Sequence, residues 1–91
     1  MKQAMMIVLG SWNGPTKTTI IGGEYRKVKG AAVASICSVE NFNKYDYGDI
    51  VSPDDITGVY ANLVFCDKKA MEDFINSLEK IKRGMEGKWR K

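Results

Sequence analysis

The sequence predicts an α+β protein in which an antiparallel β meander of about four to five strands packs against one C-terminal α-helix. Segments with the composition of β-strands recur through the first two thirds of the chain. The last third holds one amphipathic segment with helical spacing. The strands are joined by short connections, which favour antiparallel neighbours. Pro15 and several glycines in residues 10–30 exclude a crossover helix there, and with it a ferredoxin-like arrangement.

The first predicted strand is residues 5–9, an apolar run of strand length that a loop at residues 10–15 follows. Residues 18–21 and 24–28 are both β-prone, and a Gly-Gly pair separates them. Glycine adopts positive φ at little cost, so this pattern predicts a tight hairpin that turns at Gly22-Gly23. Because residues 18–28 carry polar side chains on both faces, we expect this hairpin at a sheet edge.

Residues 31–39 are small, apolar and β-branched, which predicts a buried strand. A helix through Ala31–Ala34 is the alternative, since alanine is the best helix former. Residues 40–57 form the longest irregular region. Within it, Ser52 before Pro53 and two acids has the pattern of a helix start and predicts a single helical turn.

The last strand and the helix have the clearest patterns in the chain. Residues 59–66 alternate, placing Val59, Ala61, Leu63 and Phe65 on one face. Asp67 is a predicted N-cap for a helix over residues 68–83, and Gly84 is its predicted left-handed C′ residue. We expect the apolar face of this helix to be buried against the sheet. That face comprises Met71, Phe74, Ile75, Leu78 and Ile81.

With 91 residues, the chain is expected to form one domain spanning residues 1–91, in which residues 84–91 are a flexible basic tail. The composition, 44% hydrophobic and 27% charged, is that of an ordinary globular protein. The net charge of +3 is too small to argue for nucleic acid by itself. However, the charge is polarised: residues 40–55 hold five acids and one lysine, whereas residues 79–91 hold six bases and two acids.

The apolar run at residues 4–9 is shorter than the hydrophobic core of a signal peptide, and no segment has the roughly 18 apolar residues of a membrane span. The expected location is cytoplasmic. Cys37 and Cys66 each lie inside a predicted strand, and in that compartment we expect free, buried thiols. A disulfide between them stays open, because its geometry does not follow from sequence.

Carboxylate or lysine chemistry stays open, but no pair of acids has a spacing that suggests it, and we expect a protein that is not an enzyme and has no cofactor. The chain has no histidine, which removes the commonest general base. A strand, glycines and Lys17-Thr18 resemble a P-loop, but Thr16 stands where that motif requires glycine. The acids of residues 46–55 match no EF-hand spacing, so a turn-forming loop is favoured over a metal site.

The predicted function is that of a small non-enzymatic accessory protein acting through a protein–protein contact, with another protein or a second copy as partner and no membrane contact. One candidate surface is the exposed sheet edge at residues 18–28. The other is the aromatic and acidic loop at residues 42–55. Its candidate partner-binding residues are Phe42, Tyr45, Asp46, Tyr47 and Asp49.

The alternative function is nucleic-acid binding by the basic end of the helix and the tail. There, basic side chains would contact phosphates while an indole ring stacks on a base. The residues of this alternative are Lys80, Arg83, Lys88, Trp89 and Arg90. A third class, a small-molecule pocket under the loop at residues 10–15, has no converging polar side chains to support it.

Overall fold

The computed structural model describes residues 5–10, 16–46 and 48–87 of the protein. Three strands, β1 (Thr16–Glu24), β2 (Ala32–Glu40) and β3 (Ile56–Phe65), form one antiparallel sheet in the order β1-β2-β3. One helix, α1 (Lys68–Glu86), follows at the C-terminal end. The α+β class is therefore confirmed, but in the described residues the sheet has three strands rather than four to five.

Two compact units divide the chain. The first comprises residues 1–23 and 33–63 and so holds most of each strand together with the loop between β2 and β3. The second comprises residues 24–32 and 64–91 and holds the turn between β1 and β2, the end of β3 and α1.

The predicted first strand at residues 5–9 is not formed. A single antiparallel bridge joins Gly10 to Thr18, in which the Gly10 N–H donates to the Thr18 carbonyl at 2.9 Å and the Thr18 N–H donates to the Gly10 carbonyl at 3.2 Å. Residues 5–9 have the composition of a strand but form no ladder of hydrogen bonds with another strand. The side chains of Met5 and Met6 are exposed. A strand needs a partner along its length, which apolar composition alone does not supply.

The hairpin prediction is also wrong in its turn. β1 continues through Gly22 and Gly23, and the chain reverses between Tyr25 and Ala31. The Tyr25 N–H donates to the Ala31 carbonyl at 3.1 Å, and it is Gly30, with φ +83°, that adopts the left-handed conformation. Glycine permits a turn without requiring one, and the later turn lets two nine-residue strands pair. Only residues 18–24 of the predicted edge 18–28 therefore lie in a strand.

The prediction of a buried strand at residues 31–39 is confirmed, and the helical alternative is wrong. β2 is the middle strand, and its second half is the most buried part of the first unit. Cys37 and Val39 are each 2% exposed, and Ser38 is buried with its hydroxyl hydrogen-bonded to the Tyr60 hydroxyl at 2.5 Å. A small, β-branched segment suits a strand that has a neighbour on each side.

Both predicted capping sites are present. The Ser52 hydroxyl oxygen accepts from the Asp54 N–H at 3.4 Å at the start of a one-turn 3₁₀ helix, Pro53–Asp55. The Asp67 carboxylate accepts from the Ala70 N–H at 2.8 Å and so caps α1. Such caps are local, since the residue and the N–H it satisfies are two or three positions apart.

The predicted end of α1 at Gly84 is wrong. Gly84 lies inside the helix, which continues to Glu86, and the Gly87 N–H then donates to the Gly84 carbonyl at 3.3 Å. An interior glycine costs a helix only about 1 kcal/mol relative to alanine, which the favourable residues after it can offset. Of the predicted tail, residues 84–86 are helical, and residues 88–91 lie outside the described residues.

The expected burial of the apolar face of α1 is not observed. No residue of the helix is buried, and the exposed fractions of the large apolar side chains from Phe74 to Met85 range from 37% to 60%. The ring of Phe74 does contact Phe65 at the end of β3, with ring centroids 5.2 Å apart. The face continues to Met85 at the same helical spacing. In the described residues, no helix combines the length and hydrophobicity that a membrane crossing requires.

The two cysteines have different environments. Both are free, but Cys37 is buried in β2 whereas Cys66, the residue after β3, is exposed. The expectation of buried thiols is therefore confirmed for Cys37 and wrong for Cys66. The reason is that the strand ends at Phe65, one residue before the cysteine.

Candidate functional site

The first unit contains a groove between β1 and the loop that joins β2 to β3, with a volume of about 590 Å³. This volume lies within the range of known ligand and peptide pockets. Strand β1 forms one wall, and residues 42–51 form the other. The large apolar side chains along the groove are Ile20, Ile21, Val39, Phe42, Ile50 and Val51.

The structure brings together four of the five loop residues that the sequence analysis selected. Phe42, Tyr45, Asp46 and Asp49 all line the groove. The Asp46 N–H donates to the Asp49 carboxylate at 2.8 Å, which holds these two acids at the same end of the loop. The fifth residue, Tyr47, lies outside the described residues.

A polar network around Tyr45 fixes the loop. The Tyr45 hydroxyl donates to the Asp55 carboxylate and accepts from the Ser52 N–H at 3.0 Å. The Lys44 ammonium pairs with the same carboxylate at 2.9 Å. Asp55 itself is only 8% exposed. Tyr45 therefore ties the start of the loop to its end. Its hydroxyl is occupied by the protein, and the Lys44 ammonium lies 5.4 Å from the centre of its ring.

These contacts shift the pKa values of both charged partners. The hydrogen bond from Tyr45, followed by the one from Lys44, lowers the pKa of Asp55 below its ordinary value of 3.8. The hydrogen bond to Asp55 raises the pKa of Lys44 above its ordinary value of 10.5. The contribution of Asp55 to stability is therefore complete above pH 3.8 and is lost as the pH falls through its lowered pKa. That of Lys44 is complete below pH 10.5 and is lost as the pH rises through its raised pKa.

Replacing Tyr45 with phenylalanine should lower the free energy of unfolding by about 1 kcal/mol at pH 7, because the Ser52 N–H and the Asp55 carboxylate each lose a partner. The deficit should be constant above about pH 4 and should shrink as more acidic solution protonates Asp55. Urea unfolding between pH 2 and pH 7 measures both effects. Asp54→Asn, at an exposed neighbouring position, is the matched control. A deficit that does not depend on pH would contradict the proposed network.

Strand β1 presents part of its backbone to the outside of the sheet. Thr18 exchanges both of its backbone hydrogen bonds with Gly10, so its N–H and carbonyl point away from β2. Backbone groups of alternate residues in a strand point the same way. Those of Ile20 and Gly22 therefore also point outward, and in the described residues the bridge at Gly10 does not extend to them.

Few charges line the groove, and acids are in the majority. The Lys17 ammonium lies 5.8 Å from the centre of the Phe42 ring, a cation–π distance. Asp46 and Asp49 supply two carboxylates, and Lys44 is already paired with Asp55. The groove therefore carries an excess of one negative charge. Among the described residues, no three potential metal-ligating side chains converge.

Two of the five residues of the nucleic-acid alternative lie in the described part of the chain. Lys80 and Arg83 are both exposed on α1. Lys88, Trp89 and Arg90 lie outside the described residues.

Ile50 and the facing residues of β1 also line the groove, and neither contribution was predicted from the sequence. Ile50 is 95% exposed at the rim of the groove, and Ile20 is also exposed. The contribution of Ile50 had one signal in the sequence, an apolar Ile50-Val51 pair within an otherwise acidic loop. The contribution of the β1 residues depends on how β1 lies against the loop, and no short sequence pattern predicts that arrangement. Comparison with protein-family models, with curated proteins and with solved structures finds no match to this chain.

Proposed function

We propose that this chain is a small non-enzymatic accessory protein that binds an extended segment of another protein along the β1 edge. The observation that carries the proposal is the coincidence of two features. The outward backbone groups of Ile20 and Gly22 lie beside an open groove with apolar walls. Strand addition uses this combination, since the backbone supplies affinity and a neighbouring pocket for alternate side chains supplies specificity.

The chemistry of the groove describes the segment that fits. Side chains on one face of an added strand would lie near Ile20 and Ile50, which favours large apolar residues there. Asp46 and Asp49 at the far wall favour a lysine or arginine on the same segment. The preferred ligand is thus an extended apolar peptide with a basic residue, free of proline at its bonding positions.

A displayed library of random peptides, selected against the protein, tests this proposal and supplies the ligand. We expect enriched peptides with alternating apolar residues and at least one base. Gly22→Pro should then weaken the selected peptide at least tenfold, because it removes an outward N–H. Proline at the outer position of an edge strand leaves the pairing with β2 intact. Isothermal titration calorimetry measures the affinities.

Gly22→Ala is the matched control, since it retains the N–H and should bind within about twofold of the original protein. Ile50→Asp should also weaken binding without a change in melting temperature, because Ile50 is exposed. Selected peptides that bind Gly22→Pro and Ile50→Asp as well as the original protein would contradict the proposal. Retention of single-stranded oligonucleotides at low salt, lost in the Lys80→Glu, Arg83→Glu double variant, would instead support the nucleic-acid alternative.

A further inference from the structure

The apolar face of α1 has the spacing of a coiled-coil seam. Large apolar residues recur at alternating intervals of four and three, and Ile75 widens the seam on one side. The recurring residues are Met71, Phe74, Leu78, Ile81 and Met85. From Phe74 to Met85 all of these side chains are exposed. Polar residues occupy the opposite side, where Asn76 and Arg83 lie.

A line of small residues borders this seam. Ala70, Ser77 and Gly84 recur every seven residues on its other side. The Ser77 hydroxyl donates to the Asp73 carbonyl at 3.0 Å, so it needs no partner from another helix. Small residues at this position allow a second helix to approach closely, and the seam then supplies the apolar contact.

Four charges that border the seam on the Ile75 side form two opposite-sign pairs about Ser77. The members of each pair lie at nearly equal distances on either side of it. The pairs are Lys68 with Glu86 and Glu72 with Lys82. A helix of the same sequence, laid antiparallel with its centre opposite Ser77, would place the two members of each pair beside each other. A parallel arrangement would place each charge beside its own copy.

We propose that α1 is the interface of a homodimer, in which a second copy of this chain packs antiparallel on the apolar face with the two-fold axis near Ser77. The exposed apolar area of α1 is sufficient for such an interface. A fully exposed side chain of this size presents roughly 200 Å², so the exposed fractions from Phe74 to Met85 leave nearly 500 Å² uncovered per copy. Two copies with their flanking residues would then bury more than about 1,000 Å², the threshold for a specific interface. This surface shares no residue with the proposed peptide groove.

Sedimentation velocity across a concentration series tests the proposal. We expect the full chain to sediment as a dimer of twice 10.2 kDa, and Leu78→Asp to be a monomer at the same concentrations, because it places two carboxylates in the centre of the seam. Asn76→Asp adds the same charge on the opposite side of α1 and should remain dimeric. Circular dichroism of each variant checks that the fold is retained.

Charge reversal tests the orientation without disturbing the seam. Glu72→Lys and Lys82→Glu should each weaken the dimer about tenfold, since each reversal turns two symmetric attractions into repulsions. The double variant should recover the original affinity. Ser77→Cys in a Cys66→Ser background should form an intermolecular disulfide on mild oxidation, and Ala70→Cys in the same background should not, since an antiparallel pair brings together the two copies of residue 77 but not those of residue 70, whereas a parallel pair brings together both.

Three outcomes would overturn the proposal. The first is a monomer at every concentration. The second is a dimer that Leu78→Asp does not affect, which would place the interface elsewhere, such as at a sheet edge. The third is a dimer in which the double charge reversal is weaker than either single variant, which would exclude the antiparallel arrangement.

Discussion

Phe65→Ala should destabilise the protein by about 3–5 kcal/mol, the range for truncation of a buried phenylalanine. Phe65 ends β3, is 8% exposed and contacts the ring of Phe74 at a tilt of 58°. A tilted aromatic pair contributes beyond the buried area of its rings. A chain of this length is stabilised by only roughly 5–14 kcal/mol in total. The loss should therefore lower the melting temperature by roughly 15 °C or more.

Urea and thermal unfolding at one fixed protein concentration measure this effect, since self-association would make stability depend on concentration. Val59→Ala is the matched control, because it lies on the same strand but is 55% exposed, and it should cost less than about 1 kcal/mol. A similar loss for the two variants would show that Phe65 is not part of a packed core.

The features that the sequence predicted correctly depend on residues a few positions apart. The carboxylate of Asp67 and the N–H of Ala70 belong to the same turn, as do the Ser52 hydroxyl and the Asp54 N–H. Residues 31–39 likewise favour a buried strand through their own small, apolar and β-branched side chains. These features can be predicted because they form between neighbouring residues and do not depend on contacts with distant parts of the chain.

The features that the sequence did not predict depend on partners far away in the chain. Gly22-Gly23 is compatible with a turn, yet the pairing of β1 with β2 places both glycines inside a strand. Residues 5–9 have the composition of a strand, but only Gly10 pairs with β1. The sequence shows that α1 has an apolar face suited to burial. It does not show whether the sheet or another chain buries that face.

The candidate site divides in the same way. Aromatic and acidic composition identified Phe42, Tyr45, Asp46 and Asp49 within the loop, and the structure places them in one groove. The opposite wall is β1, which pairs with β2 in the sheet and lies across the groove from the loop. A loop can thus be recognised by its residue types, but the surface that it forms with a distant strand requires coordinates.

The two cysteines should differ at least about a thousandfold in their rate of reaction with a thiol reagent at neutral pH. Cys66 is exposed and should react within seconds, whereas Cys37 is buried and can react only when the structure opens. Opening is rare because the population of the folded state exceeds that of the unfolded state by a factor of about 10³ or more. Burial also raises the pKa of the Cys37 thiol, which further reduces the reactive thiolate.

Absorbance with a disulfide reagent counts the thiols over time, and we expect one per chain in a fast phase. The second should appear at a comparable rate only after urea is added. Cys66→Ser should abolish the fast phase, and Cys37→Ser should abolish the slow one, which assigns each phase to its residue. Two fast thiols in the folded protein would show that β2 is not the protected centre of the sheet. Because Val39 is as little exposed as Cys37 and lines the proposed groove, the same result would also contradict the groove as described.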